Sequence, residues 1–140
     1  MKVLIAVDGS PYTKRMLAYL AAHQDLLGIK HEYTVIHTVL AVPPRAASFV
    51  AADVVQNYYN EEAEAVFRPI RAFFAQQKIP ATFVHTVSHP ADSIAHLALE
   101  GKFDLVVMGS RGHGEVRNLI LGSVATKVLA KCDTPVLLVR

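Results

Sequence analysis

The chain has 140 residues, 52% of them hydrophobic and 19% charged, which is enough for one domain with a real core and too apolar for a disordered chain. Its formal net charge of +2, without a dense Lys/Arg run, carries no electrostatic footprint of a nucleic-acid partner. The single cysteine, Cys132, has no partner for an internal disulfide, which suits a reducing compartment.

The apolar run at residues 3–7 ends at Asp8-Gly9-Ser10-Pro11, so no signal peptide is expected. No apolar run approaches the roughly 20 residues that span a bilayer. A soluble, cytoplasmic protein without membrane contact is expected, folded as one domain over residues 1–140.

Residues 2–7, β-branched at Val3, Ile5 and Val7, have the continuous apolar character of a central parallel strand. Ser10 is a suitable N-cap and Pro11 a suitable first helical residue. The helix that follows should place Met16, Leu17, Leu20, Gln24 and Leu27 on one face, with Gly28 as its stop. Residues 33–40 form the second strand, which Val42-Pro43-Pro44 closes. Residues 41–50 are the most irregular stretch and, following a strand on the ligand side, a candidate lid. A long helix then begins near residues 51–53. Glu61, Glu62 and Glu64 mark its polar side, and Val66, Ile70, Phe73, Phe74 and Gln77 keep helical spacing. Pro69 should kink or split it near Arg68.

Residues 79–87 form the third strand, and a short helix over 91–99 turns Ile94, Leu97 and Ala98 inward before Gly101. The fourth strand, residues 103–108, runs into Gly109-Ser110-Arg111-Gly112-His113-Gly114. The last helix covers 123–131 with Val124, Ala125, Val128 and Leu129 inward, and the fifth strand covers 135–139. Five strands alternating with four helices, joined by right-handed crossovers, give a three-layer α/β fold around a parallel sheet. If the first and fourth strands are central neighbours, the order is 3-2-1-4-5. The switch point then lies between the two strands whose ends carry ligand-type turns.

The glycine spacing is Gly109-x2-Gly112-x9-Gly122-Ser123. A Gly-rich loop leading to a helix start suits an anion, because glycine tolerates φ > 0 and close approach while the helix end offers unpaired N–H groups. There is no Gly-Lys-Ser/Thr, so this is not a P-loop. The glycines follow the fourth strand, not the first, so this is not the dinucleotide fingerprint either.

The pattern resembles the universal stress protein family in its ATP-binding branch. The resemblance covers the whole chain: Val3-Leu4-Ile5-Ala6-Val7-Asp8-Gly9-Ser10, Ile36-His37, Asp104 to Gly112, Leu121-Gly122-Ser123-Val124 and Pro135-Val136-Leu137-Leu138-Val139. It implies a Rossmann-like nucleotide-binding fold, akin to the adenine nucleotide alpha hydrolase-like proteins. ATP is the implied cofactor, with Mg or Mn as a candidate companion ion. Asp8 is implied to lie near the ribose or the metal, Thr38 to touch adenine through its backbone, and Gly109 and Gly112 to line ribose and phosphates. Gly122, Ser123 and Val124 are implied to hold the phosphates through N–H groups and a hydroxyl. Ala6, Met108 and Arg111, within the matching segments, complete the expected cofactor-binding set. The resemblance also implies a homodimer through Val136–Val139, an edge strand open to pairing. Two departures are Thr38, where the family often has an aliphatic residue, and Ser88, where a glycine is common two residues before Pro90.

His37, at a strand end, reads as a packed or hydrogen-bonded histidine, while His113 in the loop is a candidate for approaching phosphates. Tyr58 and Tyr59 read as core and rim of the long helix. Arg111 and Arg117 are candidates to meet phosphate charge, but no well-placed base stands beside them except His113. The sequence therefore favours a dimeric, ATP-binding regulatory module of the stress response with little or no turnover. A slow ATPase or phosphotransferase, or a dimeric interaction protein without nucleotide, is the alternative.

Overall fold

The computed structural model describes residues 1–25, 28–114 and 118–140. Five strands form one parallel sheet: β1 (Lys2–Ala6), β2 (Glu32–Val39), β3 (Ala81–Val87), β4 (Leu105–Gly109) and β5 (Val136–Val139). Their order is β3-β2-β1-β4-β5, as expected from the alternation of strands and helices. All pairings are parallel, and Ala6 stands opposite Ile36 on one side and Met108 on the other.

Side-chain alternation sends the central strands' residues to opposite faces. Val3, Ile5 and Val7 pack with α1 (Pro11–Ala22) and α3 (Ala52–Gln76). Leu4, Ala6, Ile36, Val106 and Met108 pack with α4 (Pro90–Glu100) and α5 (Ser123–Lys131). Each layer thus closes one side of β1, and the polypeptide must leave the tops of β1 and β4 in opposite directions. No helix among the described residues is long and apolar enough to cross a membrane.

Several local expectations are corrected. The first helix ends at Ala22 with His23 as C-cap, so Gly28 is not its stop, and Gln24 is exposed; Leu27 lies outside the described residues. The segment 41–50 contains a one-turn helix, α2 (Pro44–Ala47), so the chain has five helices among its described residues. Pro69 does not split α3, which runs unbroken for 25 residues. Buried residues on both sides of it, Phe67, Ile70 and Phe74, hold this part of the helix against the core despite the hydrogen bond that proline cannot donate. The core stripe of α3 is Ala63, Phe67, Ile70 and Phe74, with Phe67 the largest fully buried side chain among the described residues. Tyr58 is on the exposed rim, while Tyr59 packs against the core and its Oη accepts the Val42 N–H at 2.9 Å. Leu129 faces solvent, because Ala125 and Val128 already fill the α5 contact with the sheet.

Candidate functional site

The site grows from the end of β1. Asp8 follows the strand and Gly9 adopts φ +75°, a left-handed conformation that turns the chain into α1. Asp8 Oδ1 accepts both the Ser10 N–H and the Thr13 hydroxyl, each at 2.9 Å. The Thr13 hydroxyl accepts the Asp8 N–H at 3.2 Å in return. Ser10 occupies the N-cap with extended backbone, yet its hydroxyl makes no cap bond and is buried without a partner among the described residues. The aspartate takes over the bracing of the turn, and one carboxylate oxygen is spent in doing so.

The other oxygen faces the phosphate-type loop. A Cβ placed on Gly112 would come 2.4 Å from Asp8 Oδ2. A side chain at 112 would therefore displace the Asp8 carboxylate or the loop. At Gly109 a Cβ would meet the Tyr12 Cβ at 2.9 Å, a similar clash, while at Gly122 it would meet the Arg111 Cα at 3.2 Å, a tight contact that a small shift relieves. None of these three glycines has a positive φ, so of the two expected reasons for them, conformational freedom and close approach, only the second applies.

The loop after β4 is pinned at several points. Ser110 donates its N–H to Val139 and accepts the Gly122 N–H at 2.7 Å, so the loop's exit is stapled to its entry. The Gly122 N–H is thus bonded within the loop, and Ser123 and Val124 follow it at the start of α5. The α5 N-cap makes no side-chain cap bond, which leaves the first-turn N–H groups and the dipole's positive end facing outward. Arg111 reaches the Tyr12 hydroxyl at 3.4 Å and lies over its ring. His113 Nε2 donates to the Asp8 carbonyl at 2.7 Å, tying the loop to the β1 turn. Across the sheet, His37 Nδ1 donates to the Val7 carbonyl at 2.9 Å, so His37 is a hydrogen-bonded strand-end histidine. Arg117 lies outside the described residues.

These pieces wall a cavity of about 580 Å³. All ten residues singled out in the sequence line it: Ala6, Asp8, Thr38, Met108, Gly109, Arg111, Gly112, Gly122, Ser123 and Val124. His37 and His113 line it too, as do Thr13, Ile36, Glu62, Val66, Pro90 and Ile94, which the sequence reading did not select. Glu62 and Val66 stand one helical turn apart on α3. Their shared face was recoverable from that spacing, but their direction required knowing where α3 crosses β1. Leu40 lines the cavity, but no residue of 41–50 does, so the expected lid is not over the crevice in this conformation. Among the described residues no cluster of three metal-ligating side chains exists. A cation here would rest on Asp8 and on oxygens brought by the ligand.

A doubly wound parallel sheet with a glycine-lined crevice at its switch point defines a Rossmann-like α/β protein whose ligand end is the top of β1 and β4. Within that class the chain belongs to the universal stress protein family, whose family model matches residues 1–140. It is 34% identical over 138 residues to a universal stress protein of Thermus aquaticus, a match covering 99% of this chain and 97% of the relative. Among solved structures, the universal stress protein UspA from Lactobacillus plantarum superposes with a TM-score of 0.78 at 19% identity, over 100% of this chain and 97% of its own. The Archaeoglobus fulgidus universal stress protein in complex with dAMP superposes with a TM-score of 0.66 at 22% identity, over 100% and 98%. At these identities the structural likeness establishes the fold.

Proposed function

We propose that this chain is an adenine-nucleotide-binding regulatory module of the stress response, with ATP as its cofactor, working as a homodimer. The observation that carries the reading is the contact between Asp8 and Gly112, where the β1 turn and the β4 loop close so far that a Cβ at 112 would lie 2.4 Å from Asp8 Oδ2. Such an approach leaves the cavity wall made of main chain, the surface that phosphates and ribose hydroxyls bind best. The dAMP complex of the Archaeoglobus fulgidus relative supports the same ligand class here. In this reading Ser123 and Val124 hold phosphate at the α5 start, Arg111 adds charge, and Asp8 Oδ2 meets a ribose hydroxyl or a bound Mg²⁺. Ala6, Thr38 and Met108 surround the base, while Gly109, Gly112 and Gly122 provide room.

In this reading the module binds nucleotide without rapid turnover, and the His113 Nε2–H bond to the Asp8 carbonyl serves to tie the glycine loop to the β1 turn. The dimer part of the reading rests on β5, which pairs with β4 on one side and leaves Val136, Leu137 and Leu138 only half buried.

Titration calorimetry with ATP, ADP and AMP tests the proposal. Saturable heat with an accompanying rise in Tm is expected, and absence of both for all three nucleotides would sink it. A metal-dependent release of phosphate from ATP that disappears in Asp8→Ala would instead favour the slow-enzyme alternative.

A further inference from the structure

The lining of the cavity is chemically mixed: glycines, Arg111 and the α5 start stand with the apolar Ile36, Pro90 and Ile94 and with Thr38 of β2. The Thr38 hydroxyl belongs to a chain of three. The Thr38 and Thr86 hydroxyls are 3.0 Å apart, and Thr86 in turn donates to the Ser93 hydroxyl at 3.0 Å. A hydroxyl has a single hydrogen to give. Thr86 gives its hydrogen to Ser93, so within this chain it can only accept from Thr38. Thr38 thereby spends its own hydrogen on Thr86, and what its oxygen retains is lone pairs.

We propose that Thr38 is a specificity-determining residue of this cavity, a hydroxyl fixed as an acceptor by Thr86 and Ser93 that selects a purine presenting an exocyclic amine. The inference rests on the nucleotide reading above and deepens it: Thr38 recognises the base through its side chain, beyond the backbone contact that the family resemblance implies. A 6-amino purine gives Thr38 a donor. A 6-oxo purine sets acceptor against acceptor, and a purine without a substituent gives it nothing. The apolar surroundings sharpen the choice, because an unpaired polar group is costly where water is excluded. The register supports the arrangement: Thr38 stands directly opposite Thr86 in the β2–β3 ladder, on the face that turns toward α4, which carries Ser93.

The test is calorimetry of AMP, purine riboside 5′-monophosphate and IMP against the wild type, Thr38→Val, Thr38→Ser and Thr86→Val. Valine keeps the shape and strand preference of threonine, so the sheet should tolerate it. In the wild type AMP should bind roughly two- to ten-fold more tightly than the analogue without the amine, the range of one neutral hydrogen bond, with IMP weaker still. Thr38→Val should bring AMP down to the level of the analogue, and Thr38→Ser should restore the preference. Thr86→Val frees the Thr38 hydrogen to turn toward the ligand, so the handicap of IMP should shrink while AMP is little changed. Retention of the preference in Thr38→Val, or of the full IMP handicap in Thr86→Val, would overturn the inference. So would loss of the preference in Glu62→Gln alone, which would assign the amine to the α3 carboxylate. AMP binding without any preference refutes this inference and leaves the nucleotide reading intact, whereas no binding of AMP refutes both.

Discussion

Asp8 divides its two oxygens between structure and the crevice. Oδ1 braces Ser10 and Thr13, and Oδ2 stands against Gly112. The two roles separate in mutants. Gly112→Ala drives a methyl group into Oδ2, so either the carboxylate leaves its braces or the loop withdraws. Nucleotide affinity should fall at least about ten-fold, with a stability loss smaller than that of removing the carboxylate altogether, because a withdrawing loop can leave the braces in place. Asp8→Ala should instead lower stability by about 1–2 kcal/mol in urea, the size of a lost cap, and weaken binding as well. Equal stability losses in the two variants would contradict this division. The glycine positions were legible as a spacing, but their cause was not. Sequence cannot distinguish a glycine needed for φ, such as Gly9, from one needed for space, such as Gly112, since the second depends on a residue over a hundred positions away.

On α3, apolar side chains cover more than one face. Ala63, Phe67, Ile70 and Phe74 are buried, while Val66, Pro69 and Phe73 line a groove against α1. Helical spacing alone reads Val66 and Phe73 as readily as Phe67, and so the most deeply buried ring of the helix was passed over. Phe67→Ala should cost about 3–5 kcal/mol in denaturant unfolding, and Phe73→Ala clearly less, since its ring is only partly buried. The polar face of the same helix has a measurable pH signature. Arg71 donates to both oxygens of Glu64 at 3.3 and 2.8 Å and lies over the Phe83 ring. That hydrogen bond holds the Glu64 carboxyl below its ordinary pKa. A depressed carboxylate stabilises the fold above the unfolded pKa and loses that contribution as pH falls through the folded one. Both side chains are about half exposed, so Glu64→Gln should cost no more than about 1 kcal/mol at neutral pH. The difference between variant and wild type should fade on acidification, as followed by thermal melts from pH 7 down to the acid side of the carboxylate range. A gap that widens toward acid would reverse the assignment.

At the scale of the molecule, strand order was legible because alternation of strands and helices with right-handed crossovers permits few topologies. The one-turn α2 was not, since four residues carry no periodicity. The same order leaves β5 at an edge, and the ladder says which of its peptide groups are open. The carbonyls of Pro135 and Val139 accept from Val106 and Ser110 of the β4 region. Peptide groups in a parallel strand alternate sides, so those of Val136 and Leu138 face away from the sheet. An unpaired edge with half-buried apolar side chains invites a second strand, and a second copy of β5 offers the same pattern in reverse. Light scattering at micromolar concentration should therefore give twice the chain mass. Leu138→Pro removes one outward N–H without touching the ladder to β4, because that ladder uses the residues on either side. It should yield a monomer with native far-UV circular dichroism. Nucleotide binding should persist, since neither Val136 nor Leu138 lines the cavity. A Leu138→Pro protein that stays dimeric would move the interface away from the edge. A folded monomer that has lost its nucleotide would mean that pairing at β5 reaches the cavity through Val139, whose carbonyl holds the Ser110 N–H at the root of the glycine loop.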